Sequence, residues 1–440
     1  PVCSAAGIPT SEPIRWMAMT ATDAPVPRQR SFLRIAEHPA ALWSGFVLVH
    51  AWLSFTNLVG TEFPLGDVTV VYKFWMDQAF TSGYWVGIDG PWVYPIVAIV
   101  PMLLARVFGT DNYATTWLAI VIVLDAVALG YLTGWGRNRN TSIAWWWLAF
   151  LLLLGPIALA RIDSISVPLA IVGVLYVAKR PRVAGVLLTV AAWIKVWPGA
   201  IVLALVIAAR DRWQVLVAAA MTSAAIVVVA VAFGGGSTVF SFVTQQSSRG
   251  LQIEAPVSTV WLWKAVGGAA GTYIYYDTSL MTYQVEGGGV ALVGALMTPL
   301  LILAAVAIVL LAMLALRNRA STSELLPVLA LALVTCTIAI NKVGSPQYIA
   351  WLAVPVILGL VTSAAGSGRS FRIPATIVAV LAILTQAIYP YLYDWLLAVD
   401  PGVVAILTVR NGLLFVLLGW AVVSLWHLGF DRVRESPPRL

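Results

Sequence analysis

Thirteen apolar runs constrain this chain more than any motif in it. They cover residues 40–58, 92–108, 115–134, 143–159, 165–178, 183–196, 198–209, 213–233, 289–316, 324–340, 349–364, 373–390 and 403–427. About 20 apolar residues cross a bilayer as a helix. Lipid cannot satisfy an open backbone, so runs of this kind fold as helices. Only 10% of the residues are charged, against about 25% in soluble domains. The chain therefore reads as an all-α polytopic membrane protein.

Other classes fall away quickly. Cys3 lies in the N-terminal tail and Cys336 inside an apolar run, so no disulfide framework exists. His38, His50 and His427 are too scattered to form a metal site, and no zinc spacing or close carboxylate pair appears. There is no Walker A motif and no GxGxxG unit between a strand and a helix. The net charge of +7 raises nucleic-acid binding, but the placement of the basic residues argues for topology instead. The N-terminal segment is polar and Pro-rich without a signal-peptide core, and Met17 or Met19 is a candidate natural start.

Lys and Arg gather in cytoplasmic loops. Seven basic clusters are present: the N-tail, Arg137/Arg139, Lys179/Arg180/Arg182, Arg210/Arg212, Arg317/Arg319, Arg369/Arg372 and the C-tail. If all thirteen runs cross, the clusters from Arg137/Arg139 through Arg369/Arg372 fall outside. If 92–108 lies along the surface or re-enters, all seven fall inside. The expected organisation is then a cytoplasmic tail at 1–39, disordered, and one transmembrane domain at 40–427. A cytoplasmic tail follows at 428–440. About twelve helices cross, and two large extracytoplasmic loops (59–114 and 234–288) carry short juxtamembrane helices.

Eight basic residues escape the inner clusters: Lys73, Arg106, Arg161, Lys195, Arg249, Lys264, Lys342 and Arg410. Each could simply snorkel to lipid headgroups. Cations at membrane depth are costly, however, and mark function by default. Lys195, Arg161, Arg249, Lys342 and Arg410 on one face suit an anion, and a lipid phosphate at the outer surface is the natural one. Among the outer carboxylates Asp67 stands apart, because PLGDVTVVYKFWMD (64–77) sets it at the mouth of the first span. Gly66 is expected to permit a sharp turn there, and an ordered amphipathic element follows. A general base needs such a fixed position. Asp77 reads as a solvated helix face. Tyr72, Trp75, Tyr84, Trp85 and Tyr94 suit an interfacial belt and are also compatible with stacking on sugars. Asp125 lies inside a run and reads as a packing contact or an ion-coupling residue.

These features resemble the C superfamily of integral-membrane glycosyltransferases, and within it family 87, the actinobacterial polyprenyl-phosphate-sugar-dependent enzymes. The residues that carry the resemblance are Gly66-Asp67 with Tyr72, Tyr94-Pro95, and the short turn after Gly155-Pro156. AGVLLTVAAWIKVWPG (184–199) followed by RDRW, and SPQYIAWL (345–352), complete the set. Two departures are Tyr94-Pro95-Ile96, where the family often has two prolines, and Arg161-Ile162-Asp163, where a Gly-Gln pair is common. The resemblance implies a GT-C fold in the cell membrane, with both termini cytoplasmic and the active site extracytoplasmic. It also implies a polyprenyl-phosphate sugar donor, most often mannose, and a glycolipid acceptor such as a phosphatidylinositol mannoside extended in α-1,2 linkage. Asp67 would act as base in an inverting transfer. Lys195, Arg161, Arg249, Lys342 and Arg410 would hold the donor phosphate, and Asp163 would orient Arg161 or bind sugar hydroxyls. Tyr72, Tyr94, Gln252, Glu254, Gln347 and Tyr348 would contact sugar or acceptor. No cofactor or metal is implied. The competing readings are an arabinofuranosyltransferase of the same family, a secondary transporter built around Asp125 and the broken hairpin 183–209, and a non-catalytic scaffold or lipid scramblase. The transporter reading expects two related halves, which the unequal loops do not provide.

Overall fold

The computed structural model describes residues 38–435, apart from 138, 248 and 279. The expected disordered tail therefore lies almost wholly outside the described residues. The first helix, α1 (Pro39–Val59), starts where the His38 side chain accepts from Ala40 N at 3.2 Å and Pro39 occupies the first turn. A π-helical turn at Asp67–Tyr72 leads into α2 (Lys73–Ser82). The run 92–108 yields only a 3₁₀ turn at Ile96–Ala98 and α3 (Ile99–Leu104). Six residues rise about 9 Å, far less than a bilayer.

The chain continues as α4 (Tyr113–Thr133), α5 (Thr141–Leu154), α6 (Asp163–Tyr176), α7 (Pro181–Ile194), α8 (Pro198–Ala208) and α9 (Arg212–Ala232). The segment 234–288 holds α10 (Ser241–Ser247) and α11 (Thr259–Val266). It also holds an antiparallel hairpin, β1 (Tyr273–Asp277) with β2 (Thr282–Glu286). That hairpin is an addition to the expected short helices. The rest is α12 (Val290–Arg317), α13 (Thr322–Ala339), α14 (Ala353–Ala364), α15 (Arg372–Gln386), α16 (Tyr393–Leu397) and α17 (Pro401–Glu435). The last helix thus runs on past 427, into the segment expected as a tail.

Among the described residues nine helices are long and apolar enough to cross a membrane, with α5, α14 and α15 counted together with the 3₁₀ or π turns that extend them to Thr141–Ala158, Pro346–Ala364 and Arg372–Tyr391. Three more, α6, α7 and α8, are apolar but have 14, 14 and 11 residues. At about 1.5 Å per residue they fall short of a hydrocarbon core of roughly 30 Å. The expected twelve crossings include these three, so nine is the number that length supports. α13 opens with a capping box between Ser321 and Glu324. It is apolar all round and is buried along most of its length, packing on α8, α12, α14 and α17. α6 packs on α4 and α7, and α7 packs on α9. The C-terminal ends of α1, α5, α7, α13 and α15 share one end of this bundle with the start of α6, because the side-chain contacts below join them.

Candidate active site

The site hangs on the turn ALARIDSIS. Gly155, at φ +75°, breaks α5, and a 3₁₀ turn at Gly155–Ala158 delivers Arg161 just before α6 begins at Asp163. Arg161 is buried. Its Nε lies 3.0 Å from Asp67 Oδ2. Nη1 donates to the carbonyls of Pro64 at 2.6 Å and Ala160 at 2.8 Å, and Nη2 donates to the Tyr389 hydroxyl at 2.8 Å. One guanidinium therefore grips both the carboxylate of Asp67 and the backbone three residues before it, with separate nitrogens of one planar fork. Burial works against this charge, but Asp67, Tyr389 and Tyr72 outweigh it and hold Arg161 above the usual arginine range.

Asp67 is the first residue of the π turn, and its side chain is 39% exposed. Its Oδ2 is the oxygen that Arg161 holds. The local turn differs from the sequence expectation. Gly66 has ordinary helical angles, φ −50° and ψ −44°, and the residue with positive φ is Phe63 at +49°. The turn is thus made before Gly66.

Asp163 points elsewhere. Residues two apart at a helix start face different sides, so Asp163 does not touch Arg161. Its Oδ1 accepts from Trp351 Nε1 at 2.6 Å, and its Oδ2 lies 3.7 Å from Lys195 Nζ. Lys195 ends α7 in an extended conformation. Its ammonium sits 4.7 Å above the Tyr94 ring and 5.6 Å from that of Tyr348. Burial opposes its charge, yet Asp163, Tyr94 and Tyr348 prevail and raise Lys195 above the usual lysine range. Tyr348 stacks on Trp351, which stacks on Trp197, so the walls beside Lys195 are fixed aromatic faces. Tyr72 links the two halves. Its hydroxyl accepts from Ile162 N at 3.2 Å and lies 3.4 Å from the Tyr94 hydroxyl. Burial, Tyr94 and Asp67 push the Tyr72 phenol up.

The remaining expected residues divide. Arg249 acts electrostatically on Lys195 and Lys342, so these three cations share one region. Its Nε has no hydrogen-bond partner among the described residues. Burial and Arg249 together lower Lys342. Arg410 pairs with an acid: it is buried on α17, 3.5 Å from Glu254, and also bonds the Glu254 carbonyl and Asn411. Burial drives the Glu254 carboxyl up, against the pull of Arg410 and Arg161. Gln252 joins two turns, with its N–H on the Lys342 carbonyl at 3.0 Å and its Oε1 accepting from Gly344 N at 3.2 Å. Gln347 accepts from Ser345 at 2.8 Å. Gln252, Glu254, Gln347 and Arg410 are all buried, each with a protein partner. Asp77 pairs with Arg106 at 3.3 Å, so it is not a purely solvated face. His50 and Asp125 form a buried pair at 3.0 Å between α1 and α4, which gives Asp125 a packing partner.

Sequence reasoning passed over Tyr389, Trp351 and Trp197. A signal for Tyr389 existed: Tyr389-Pro390 repeats the Tyr94-Pro95 pair at another helix end.

Compared with known proteins, the sequence profile of glycosyltransferase family 87 matches residues 92–338, more than half of the chain. The match contains Tyr94, Arg161, Asp163, Lys195, Arg249 and Glu254, and it begins after Asp67. No curated protein and no solved structure matches the chain.

Proposed function

Because the chain belongs to glycosyltransferase family 87 and is a membrane glycosyltransferase, we propose that it moves mannose from a polyprenyl-phosphate donor to a glycolipid of the phosphatidylinositol mannoside type. The transfer is read as inverting, in α-1,2 linkage, on the extracytoplasmic face. One observation carries this reading: a single turn, 161–163, binds Asp67 through Arg161 and Lys195 through Asp163. A carboxylate and a cation are thus held on a common rigid support, as a base and a leaving-group site require.

In the proposed reaction the acceptor hydroxyl oxygen attacks the anomeric carbon from the face opposite the phosphate. Its proton passes to Asp67. The bond from the anomeric carbon to the phosphate oxygen breaks, and the electron pair leaves with polyprenyl phosphate. Developing charge on that oxygen is met by Lys195, with Arg249 and Lys342 behind it. A cationic pocket of this kind lets the phosphate leave without an acid, and no metal is invoked. Arg161 aligns the base, and its engaged donors favour that role over phosphate binding. An apolar groove of about 280 Å³, lined by Thr189, Trp193, Val196, Gly199 and Phe242, flanks Lys195 in sequence and suits the first isoprene units of the donor.

The test is incubation of the purified chain with radiolabelled polyprenyl-phosphate mannose and a mycobacterial-type lipid extract. Label in a phosphatidylinositol mannoside supports the proposal. Label only from polyprenyl-phosphate arabinose, or none from either donor, sinks it.

A further inference from the structure

A row of four tyrosines leads from Arg161, the partner of Asp67, to the hairpin. Tyr389 is first, bonded to Arg161 Nη2 at 2.8 Å. Tyr393 follows, with ring centroids 5.2 Å apart, then Tyr283 at 6.1 Å and Tyr276 at 4.9 Å. The last two are cross-strand partners in the hairpin, so the register of β1 and β2 sets their spacing. Tyr276 is 47% exposed, so the row runs from the buried guanidinium to an open ring. Asp67 is among the groups that raise the Tyr276 phenol, which keeps the far end of the row within the field of the same carboxylate.

The hairpin is held firmly enough to form a wall. Gln252 bridges to Gln284, and Gln284 Nε2 donates to Asp277 at 3.0 Å. Val285 N donates to the Leu251 carbonyl at 3.0 Å. The chemistry of the row is that of a sugar platform. The phenol rings pack edge-to-face or tilted on one another, so the row presents ring faces and edges in turn, each ring with a hydroxyl. No cation stands in the row beyond Arg161, so it is not a second phosphate site. The ring faces beside Lys195 belong to Tyr94, Tyr348 and Trp351, a separate set.

We propose that Tyr389, Tyr393, Tyr283 and Tyr276 form an acceptor subsite that binds the glycan behind the attacking sugar, so that the protein selects acceptors carrying several sugar units. The subsite rests on the transferase reading above and adds to it the class of acceptor. The donor lies on the Lys195 side, and the acceptor chain runs out along the hairpin with its terminal hydroxyl at Asp67. Tyr276 and Tyr283 are specificity-determining residues in this arrangement.

Binding tests this without relying on turnover. The full chain in detergent is titrated by calorimetry with α-linked mannotriose, with free mannose and with polyprenyl phosphate. The wild type is expected to bind mannotriose at least tenfold more tightly than mannose. Tyr276→Ala and Tyr283→Ala each remove most of that preference, while Tyr276→Phe keeps it and polyprenyl phosphate binds all forms alike, which confirms their fold. Equal affinity of the wild type for mannotriose and mannose overturns the proposal, as does an undiminished preference in both alanine variants. Failure of the base assignment is distinguishable, because Asp67→Asn would then keep transfer while the mannotriose preference stood or fell by itself.

Discussion

Replacing Arg161 with lysine separates the two roles open to this cation. The guanidinium uses three nitrogens on four acceptors: Asp67, Pro64, Ala160 and Tyr389. A lysine keeps the charge but has one nitrogen in place of three, so it cannot span Asp67, Pro64, Ala160 and Tyr389 together as the guanidinium does. Losing one charge-assisted contact costs about 1.5–3 kcal/mol. If that contact fixes the base in the transition state, kcat falls about 10- to 150-fold. Affinity for polyprenyl phosphate should stay within about twofold of wild type, because Lys195 and its neighbours are untouched. The assay is steady-state transfer from labelled donor at saturating concentration, with a parallel binding titration of polyprenyl phosphate. A wild-type kcat together with a tenfold weaker phosphate affinity would refute the positioning role and return Arg161 to the phosphate site.

Three further outcomes follow from other contacts. At Gly344 an added Cβ would overlap the backbone nitrogen of Ala255 and the carbonyl carbon of Glu254 and lie 2.5 Å from Ala255 Cα. Gly344→Ala should therefore destabilise by about 1–3 kcal/mol and expose 250–256 to protease, and an unchanged melting temperature would count against the close approach. His50→Leu should lower stability by about 3–5 kcal/mol by leaving Asp125 alone inside the bundle. The double variant with Asp125→Leu should recover most of the loss in thermal melts, and equal instability of single and double variants contradicts the pairing. Lys342 is lowered from 10.5 by burial and Arg249, so it loses its proton, and its attraction for phosphate, below pH 10.5. Affinity for polyprenyl phosphate should decline on the alkaline side below that value and hold steady in Lys342→Arg. A flat wild-type profile up to pH 10.5 would exclude Lys342 from the site.

Hydropathy made the long helices legible, and the placement of the basic residues removed 92–108 from the spans, because that one change put every basic cluster on one side. Length limits the same reasoning at α6, α7 and α8, which are apolar but short. They gain burial from neighbours packed on both sides, which a hydropathy window cannot register. Asp67, Arg161 and Lys195 were visible as charges out of place. Their partners were not: Arg161 reaches Pro64 and Tyr389 across 97 and 228 positions of sequence, and Asp163 turns from Arg161 to Lys195 through helix geometry. Arg410 and Glu254 stood out as charges too, but their pairing across 156 positions of sequence was not visible. The hairpin left a trace in YIYYD and TYQVE, two short β-branched and aromatic runs around a polar turn, but a strand pair is easily overlooked in so helical a chain.

The central claim is that Asp67 takes the proton from the acceptor. The most direct measurement is single-turnover sugar transfer by Asp67→Asn in membranes preloaded with labelled polyprenyl-phosphate mannose. Asparagine keeps the size and can still accept from Arg161, but it cannot hold the proton. A general base contributes about 10²–10⁴-fold, so transfer should fall by that factor with donor binding unchanged. Transfer at the wild-type rate would contradict the account.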